Sequence, residues 1–497
     1  MLRAQPPSSR TDATETQAVV KVPPKDTRIE VRRIRFEGVR AIDETEARDT
    51  LKTRQSSCRL ILLAPLCRFT PTLFLVNKKY LDRETVAEDA TRLQVLYWRH
   101  GYREAQVDTV IVQRPGHRTA TVTFRIREGP PTTLRAIEAV YGSPVRHQRD
   151  GHAFDVRVGA PFDVIALERA MLNLKNELWD EGYAEARVTA AVSRADSLTR
   201  SVSAVVTVEP GAPTRVGRIE VEGNHHASEA TVRSALTLQP GDLFRRRDVM
   251  ASQRYLFRSG LFERALIIMP QREEADDGSG RVVRVTVQEG PARRARAGVG
   301  FSTVDFLQTS AIFSHNDFLG GARRLDVRGA VTNLLAGSLD GRGPFRDLTP
   351  PGVAGDERQR FLAPMWQAGA TITQPWLGSP KNGLSVSAFA HRRSAAGVFV
   401  DRGAGGEMTF ARELAARVTA GASYRAERTR VDAADAYFCG GYGACEAGAA
   451  AALRAPAWLA PAAVALMVDR ADDPDFPTAG YSGRLAGEAA APGMGSD

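Results

Sequence analysis

Two pairs of cysteines are the residues of this chain whose type and spacing most directly suggest chemistry. Cys58 lies near Cys67, and Cys439 lies near Cys445. Such close spacing suits local disulfides in an oxidising compartment. A zinc site is the alternative, but no histidine lies near either pair at ligand spacing. We predict two candidate disulfides. The alternative is that these cysteines are free buried thiols.

Other groups with metal-ligand chemistry are a histidine pair and three clustered aspartates. His225 and His226 follow an asparagine in a predicted turn, so an exposed turn is favoured over metal binding. Asp472, Asp473 and Asp475 are interrupted by a proline and lack the glycine of a calcium loop, which favours a polar turn. The chain has no Gly-x-Ser-x-Gly, phosphate-loop or His-Glu-x-x-His motif. We therefore predict that it is not an enzyme and holds no metal and no cofactor.

Charge and hydropathy limit the classes of partner that the chain is expected to bind. The 497 residues include 67 Lys and Arg against 58 Asp and Glu, for a net charge of +9. The cations are scattered arginines rather than basic blocks interleaved with aromatic residues, so no nucleic-acid partner is expected. The longest apolar run, 60–66, is broken by a proline and is far shorter than the roughly 18 residues of a membrane helix. Barrel strands remain allowed because they alternate.

Two sequence markers recur with one period through the first 295 residues. The first is a glycine after a helical pattern, with spacings of 81 and 78 residues, at Gly101, Gly182 and Gly260. The second is a Glu-Gly-Pro or Glu-Pro-Gly tripeptide, whose glutamates are 81 and 80 residues apart and whose glycines are Gly129, Gly211 and Gly290. Two markers that share a period predict three tandem repeats.

Each repeat has the same order of patterns, which predicts a β-α-α-β-β unit. Helical patterns are clearest over 44–51 and 228–236, where Ser228 is placed to cap the N-terminus. The second helix ends at the repeated glycine, which suits a left-handed C-cap. Apolar and polar residues alternate strictly in the last strand of each repeat, so one face is covered by other parts of the repeat and the other is exposed to solvent. Three recurring acids are predicted to be structural, namely Glu104, Glu185 and Glu263.

The last 200 residues have a different composition. Residues 296–497 hold 27 of the 43 glycines, and their alternating segments show no helical period. Two long irregular stretches, 337–359 and 433–452, are seldom tolerated in a compact soluble domain, whereas outer-membrane barrels have long loops at one end and tight turns at the other. The pattern favours an antiparallel transmembrane β-barrel over a soluble β-sandwich.

Together these features resemble POTRA domains followed by the barrel of the BamA/TamA family of outer-membrane assembly and translocation proteins. The resemblance covers residues 29–497, and three repeats rather than five are closer to TamA-like members. The stretch 298–301 resembles the first barrel strand of that family, 315–321 its first hairpin turn and 374–376 a later turn. The Arg-Gly-Phe/Tyr motif and the terminal aromatic residue of the family are missing. We expect a C-terminally incomplete barrel of about eight or nine strands, with an open sheet.

The predicted fold is thus α+β tandem repeats followed by an antiparallel barrel sheet. The expected segments are a disordered leader (1–28), three POTRA-like repeats (29–133 with an insertion at 56–79, 134–213 and 214–292) and the N-terminal part of the barrel (293–497).

The resemblance implies a function in assembling, inserting or translocating outer-membrane proteins. The repeats would lie in the periplasm of a bacterial cell and bind clients by strand addition, and the barrel would lie in the outer membrane. Its candidate gate strand comprises Arg296, Gly298, Val299, Gly300 and Phe301. The expected partners are unfolded outer-membrane or secreted clients and the lipid bilayer, and a periplasm-spanning or lipoprotein partner stays open. A secretion pore for a dedicated partner and a soluble periplasmic scaffold are the alternatives.

Overall fold

The computed structural model describes residues 28–58, 76–113, 115–146, 148, 154, 156–193, 196, 199–270, 280–302, 306–343, 355–395, 399–433, 435–472 and 476–496. The predicted leader, apart from its last residue, and most of the predicted insertion, with Cys67, lie outside these ranges. The chain divides into two compact units. One comprises residues 1–177 and 186–211, and the other comprises residues 178–185 and 212–497.

The first repeat packs two helices on one face of a three-stranded sheet. Its elements are β1 (Glu30–Glu37), α1 (Glu44–Thr50), β2 (Ser57–Cys58), β3 (Val76–Asn77), α2 (Arg83–Arg99), β4 (Gln106–Gln113) and β5 (Thr119–Arg127). The strand order is β1-β5-β4, with β1 parallel and β4 antiparallel to β5. The predicted alternation of β5 is confirmed, since Val122 and Phe124 are buried with Leu93 of α2 in one apolar core.

The second repeat has the same sheet topology. It comprises β6 (Thr133–Tyr141), α3 (Val164–Glu181), β7 (Arg187–Val192) and β8 (Ser201–Glu209), with strand order β6-β8-β7. Described residues between β6 and α3 are in turns and loops. The inward side chains of β8, from Val202 to Val208, are buried as their alternation predicts.

The third repeat lies in the second unit. Its elements are β9 (Val216–Glu222), α4 (Glu229–Ser234), α5 (Arg246–Arg258), β10 (Phe262–Ile268) and β11 (Arg281–Glu289), and its strand order is β10-β11-β9. The predicted N-cap is confirmed, because the Ser228 hydroxyl accepts a hydrogen bond from the Thr231 amide at 3.1 Å. Such a cap satisfies one of the amide groups that the first helical turn leaves unpaired.

After the third repeat the chain forms a ten-stranded antiparallel sheet. Its strands are β12 (Arg293–Ser302), β13 (Phe306–Asn316), β14 (Arg324–Leu334), β15 (Met365–Pro375), β16 (Asn382–Ala395), β17 (Phe399–Ala415), β18 (Val418–Ala433), β19 (Ala457–Leu459), β20 (Ala462–Asp469) and β21 (Ser482–Ala489). Each strand pairs with the next, except that β18 pairs with both β19 and β20. Within the described residues β12 and β21 are the two ends of the sheet.

Short helices stand in two of the connections of this sheet. They are α6 (Ala336–Leu339) and α7 (Gly355–Leu362) before β15, and α8 (Asp435–Tyr442) and α9 (Ala447–Arg454) after β18. Among the described helices, none combines the length and the apolar character that crossing a bilayer requires.

Candidate functional site

The edge formed by the first strand of each repeat is covered at its start. In the first repeat the Val31 amide donates to the Lys79 carbonyl at 2.8 Å. In the second, Leu134 bonds to Ala160, and in the third Val216 bonds to Asp242 in the same way, at 2.9 and 2.8 Å. The segment that leads into the long helix of each repeat therefore occupies part of this edge.

The opposite edge of each sheet has no second strand beside it within the described ranges, although on β10 the Ala265 carbonyl accepts a hydrogen bond from the Gln253 side chain at 3.2 Å. It is formed by β4, β7 and β10, each of which pairs on one side with the central strand of its repeat. Among the described residues no backbone group from another element hydrogen-bonds to their outer sides along the strand. Val112, on β4, also has an exposed side chain. A free edge with exposed apolar side chains is a surface to which an extended chain can add a strand.

In the first and third repeats the glutamate of the repeated tripeptide pairs with amides of the turn after the first strand. Glu128 accepts from the amides of Arg40 and Ala41 at 2.7 and 2.8 Å, and Glu289 accepts from those of His226 and Ala227 at 3.0 and 2.8 Å. Burial acts to raise the pKa of Glu289, but the hydrogen bonds from Ala227 and His226 outweigh it, so this pKa is lowered. In these two repeats the marker is thus explained by amide pairing within its own repeat.

The repeated glycines occupy turns that connect these elements. Positive φ angles, between 69° and 106°, are found at Gly101, Gly129, Gly182, Gly211 and Gly260. A side chain at Gly101 would place its Cβ 2.9 Å from the amide nitrogen of a buried phenylalanine, so backbone approach and backbone conformation both require glycine there. Gly290, the sixth marker glycine, has a different constraint, since a Cβ there would lie 2.9 Å from the side chain of Glu263.

The predicted gate residues all lie on β12, at the start of the large sheet. Arg296, Gly298 and Gly300 share one face of the strand, and Val299 and Phe301 share the other. The latter two side chains are 76% and 58% exposed. In the described part of the chain β12 pairs with β13 alone, so no second strand lies along its other edge.

The register of the sheet separates an apolar face from a polar face. Successive cross-strand partners over β15 to β18 are Ile372, Val386, Met408 and Tyr424. All four of these side chains are exposed. One residue away, the successive partners are Thr371, Ser387, Glu407 and Arg425. Because cross-strand partners share a face, one side of the sheet is a continuous exposed apolar surface and the other is polar.

An ionic network lies on the polar face. His391 Nε2 is 3.0 Å from Asp401 Oδ2 and 3.5 Å from Glu427 Oε1, and all three side chains are buried. Arg393 pairs with Asp401 and Arg425 with Glu427, both at 2.7 Å. These contacts connect β16, β17 and β18 across the polar face. Sequence reasoning missed this network, for which alternation gave no signal beyond the polar face itself.

The turns of the sheet pack against the third repeat within the second unit. Trp376 and Ala322 enter the apolar core of that repeat. The buried Glu413 carboxylate lies 3.7 Å from Arg254 and 3.4 Å from Arg258, both on α5. Burial, and then the Glu413 carboxylate, raise the pKa of the Tyr255 hydroxyl on the same helix. The sequence predicts only a turn at the tripeptide containing Trp376, and no pattern in it indicates Glu413.

The candidate cysteine and metal residues lie apart from the strand edges. Cys439, in α8, forms a disulfide with Cys445, which lies in the connection between α8 and α9, whereas the pairing of Cys58 with Cys67 falls outside the described residues. His226 Nδ1 is 2.8 Å from Glu289 Oε2, within the braced turn. Over the described ranges no cluster of three or more His, Cys, Asp or Glu side chains is arranged to hold a metal ion.

Comparison with known protein families identifies the same three repeats. The profile of the POTRA family, described as a surface antigen variable number repeat, matches residues 29–129, 152–211 and 214–290. The chain is 23% identical over 304 residues to an outer membrane protein assembly factor BamA from Neorickettsia risticii (strain Illinois), covering 60% of this chain and 38% of the relative. It is 21% identical over 311 residues to a putative outer membrane protein assembly factor from Treponema pallidum (strain Nichols), covering 61% and 35%.

These matches leave most of each relative uncovered, since the chain spans 38% and 35% of the two curated relatives. A solved structure, BamA from Haemophilus ducreyi lacking POTRA domains 1-3, is similar with a TM-score of 0.46 and 16% identity, covering 73% of this chain and 64% of that chain. With three matched repeats, a ten-stranded antiparallel sheet and two assembly-factor relatives, the chain is a BamA/TamA-like protein of POTRA repeats and a β-barrel sheet.

Proposed function

We propose that this protein assembles or inserts client proteins into the bacterial outer membrane by offering them free strand edges. Clients in an extended form add to the outer edges of β4, β7 and β10 in the periplasm, and then to the outer edge of β12 in the membrane. Main-chain hydrogen bonds hold the client at each stage, so many sequences are accepted without a dedicated pocket. No catalytic residue and no cofactor takes part.

The observation that carries this proposal is the position of β12. It is the terminal strand of the sheet within the described residues, and its exposed side chains Val299 and Phe301 lie on the apolar face. A client strand paired there in register continues both faces of the sheet, with apolar side chains toward lipid. An unpaired backbone group in hydrocarbon costs several kcal/mol, so the bilayer strongly favours the paired state.

The apolar face also separates this proposal from that of a soluble scaffold. A β-sandwich buries its apolar faces against each other. Here the row from Ile372 to Tyr424 is exposed along four neighbouring strands. Exposed apolar patches of this extent mark membrane or protein contact surfaces. We therefore place the sheet in the outer membrane and the repeats in the periplasm.

Site-specific crosslinking in lipid vesicles tests the proposal. A photoreactive residue replaces Val299 on β12 or, as the control, Val386 on the same face in the middle of the sheet. A second pair compares Val112 on the outer strand β4 with Val205 on the central strand β8. All four valines are exposed. We expect an unfolded outer-membrane client to crosslink at the edge positions at least about ten times more than at the controls. Equal yields within each pair would contradict the proposal.

A further inference from the structure

The helix-ending glycine of the first repeat is the centre of a compact joint. The Gly101 carbonyl accepts a hydrogen bond from the Thr132 amide at 2.8 Å, and the Thr132 carbonyl accepts one from Phe162 at 2.8 Å. Phe162 is buried. The start of the second repeat is thus fixed by its own backbone amide, four residues after Glu128 of the repeated tripeptide.

The same arrangement recurs at the next glycine, within the second unit. The Gly182 carbonyl accepts from the Thr214 amide at 2.8 Å, and the Thr214 carbonyl accepts from Phe244 at 2.9 Å. The ring of Phe244 packs against Trp179, with centroids 5.9 Å apart. In both copies, therefore, a threonine amide shortly after the tripeptide bonds to the helix-ending glycine and fixes where the following segment begins.

At the third glycine the donor is a different one. The position that corresponds to Thr132, four residues after the tripeptide glutamate, is Arg293, the first residue of β12, and no backbone amide among the described residues donates to the Gly260 carbonyl. The carbonyl of Gly260 instead accepts from the side-chain amide of Asn316, at 2.9 Å. Asn316 also bonds to the segment that leads into β12, since its backbone amide donates to the Ala292 carbonyl at 2.7 Å.

A second contact of the joint also recurs. The acids that follow the helix-ending glycines each pair with an arginine, and in the third copy this arginine is on β12. The three pairs, with their N···O distances of 3.6, 3.4 and 3.2 Å, are Glu104–Arg200, Glu185–Arg281 and Glu263–Arg294. In the third copy the sheet therefore takes the place that a following repeat takes in the first, and Trp376 contributes the buried aromatic ring.

We infer that Asn316 is a positioning residue that anchors the first half of β12. Its side-chain amide replaces the missing backbone donor, and it holds the segment before Arg293 so that β12 starts at one fixed register against β13. Asn316 is 4% exposed, so its donor has little access to water as an alternative partner. The significance of this anchor for clients rests on the function proposed above, because it fixes the near end of the edge to which they add.

Hydrogen exchange of the full chain in lipid vesicles tests the anchor. Asn316→Asp keeps the shape of the side chain but removes the N–H donor. The matched control is Asn333→Asp. Asn333, on β14, is 5% exposed, and its side-chain amide donates to the carbonyls of Phe361, in α7, and Ala363, which follows that helix. Leaving a buried carbonyl unpaired shifts a local equilibrium by about tenfold. We expect amides of 293–297 to exchange about tenfold faster in Asn316→Asp, and at the wild-type rate in Asn333→Asp.

Two further measurements make the outcome decisive. Asn316→Ser, which is too short to reach Gly260 and adds no charge, gives the same local acceleration if Asn316→Asp fails to fold. Unchanged exchange at 293–297, or equal acceleration in the Asn333 control, overturns the anchor. Client insertion is measured on the same samples. Accelerated exchange with wild-type insertion would leave the anchor standing and remove the proposed role of the β12 edge in accepting clients.

Discussion

The strands of the repeats and the strands of the large sheet alternate apolar and polar residues in the same way, but they differ in what covers the apolar side. Val206 of β8 is 0% exposed beneath the repeat's helix, whereas Val386 of β16 is 50% exposed. A period of two residues shows only which side chains share a face of the sheet. The helices in each repeat bury that face, and no described helix covers the row around Val386.

The difference in cover implies a difference in solvent. Burial of an apolar side chain stabilises a water-soluble domain by about 1.5–3 kcal/mol, so the repeats are complete without lipid. The sheet leaves the same kind of surface exposed, so it gains that energy only against a bilayer or a partner. The comparison therefore separates a part of the chain that buries its own apolar face from a part that leaves that face exposed, which supports the proposed placement of the repeats in the periplasm and of the sheet in the membrane.

The sharpest test of this comparison introduces one charge into each region. Val206→Asp places a carboxylate in a closed core and is expected to lower the free energy of unfolding of its repeat by at least about 4 kcal/mol. Val386→Asp is expected to cost about 2 kcal/mol in lipid vesicles, and less than about 0.5 kcal/mol for lipid-free protein. Pulse proteolysis in urea measures both.

The stability of lipid-free Val386→Asp decides whether the apolar row is exposed in the absence of a membrane. If Val386→Asp destabilised the lipid-free protein as strongly as Val206→Asp, the apolar row would have to be buried without a membrane. The distinction between the two regions would then be lost, and with it the placement of the sheet in the membrane.

The place where the two regions join provides a test of intermediate size. Glu413→Gln removes the charge that Arg254 and Arg258 share at the turn end of the sheet. Because Glu413 is buried, we expect a loss of about 2 kcal/mol in the packing of α5 on the sheet, measured as faster hydrogen exchange of α5 amides. Glu229→Gln is the control, since its exposed pair with Arg233 contributes no more than about 0.5 kcal/mol.

An equal effect of the two glutamine substitutions would contradict this prediction. It would mean that burial does not strengthen the Glu413 contact, and that the third repeat is held to the sheet by its other contacts, such as those of Trp376 and Asn316.

The smallest expected effect depends on pH and concerns the repeats. The pKa of Glu289 is lowered from its ordinary value of 4.5, so its carboxylate contributes stability above pH 4.5 that is lost as pH falls through the folded-state value. Glu289→Gln is expected to lower stability by about 1 kcal/mol at pH 7. The gap to wild type should narrow as pH falls below 4.5. Urea midpoints of the third repeat from pH 7 to pH 3 measure this.

If the stability difference between wild type and Glu289→Gln increased on acidification, the carboxylate would not be the form that the His226 and Ala227 amides stabilise. The sheet serves as the internal control, because its strands should show no difference between the two proteins at any pH.

Much of the fold was predictable because its signals are local or periodic. The cap at Ser228, the left-handed glycines such as Gly101 and the alternation of β5 and β8 follow from backbone preferences and from burial of one face. The repeat count followed from two markers with one period. For the second repeat, the described residues before α3 hold no first helix, so that part of the pattern stays a prediction. The domain boundaries and the gate assignment also remain predictions.

The site itself was less predictable. The sequence identified the residues of β12 as an edge strand only through a resemblance, and it gave no sign of Asn316 as a donor to Gly260, 56 residues earlier. Contacts of this kind do not recur at a regular spacing along the sequence. A buried asparagine and an exposed one look alike in a sequence, and only the packing of the turn against the repeat determines which is present.

The sequence by itself determined the three repeats, the face that each side chain shares and the absence of a recognisable catalytic motif, because these depend on spacing along the chain. Only the tertiary structure decided which apolar face is covered, which strand edges are free and which carboxylates are buried, as with Glu413 and Glu427. Those properties depend on residues brought together across tens to hundreds of positions, where chain connectivity places no constraint that a local pattern can record.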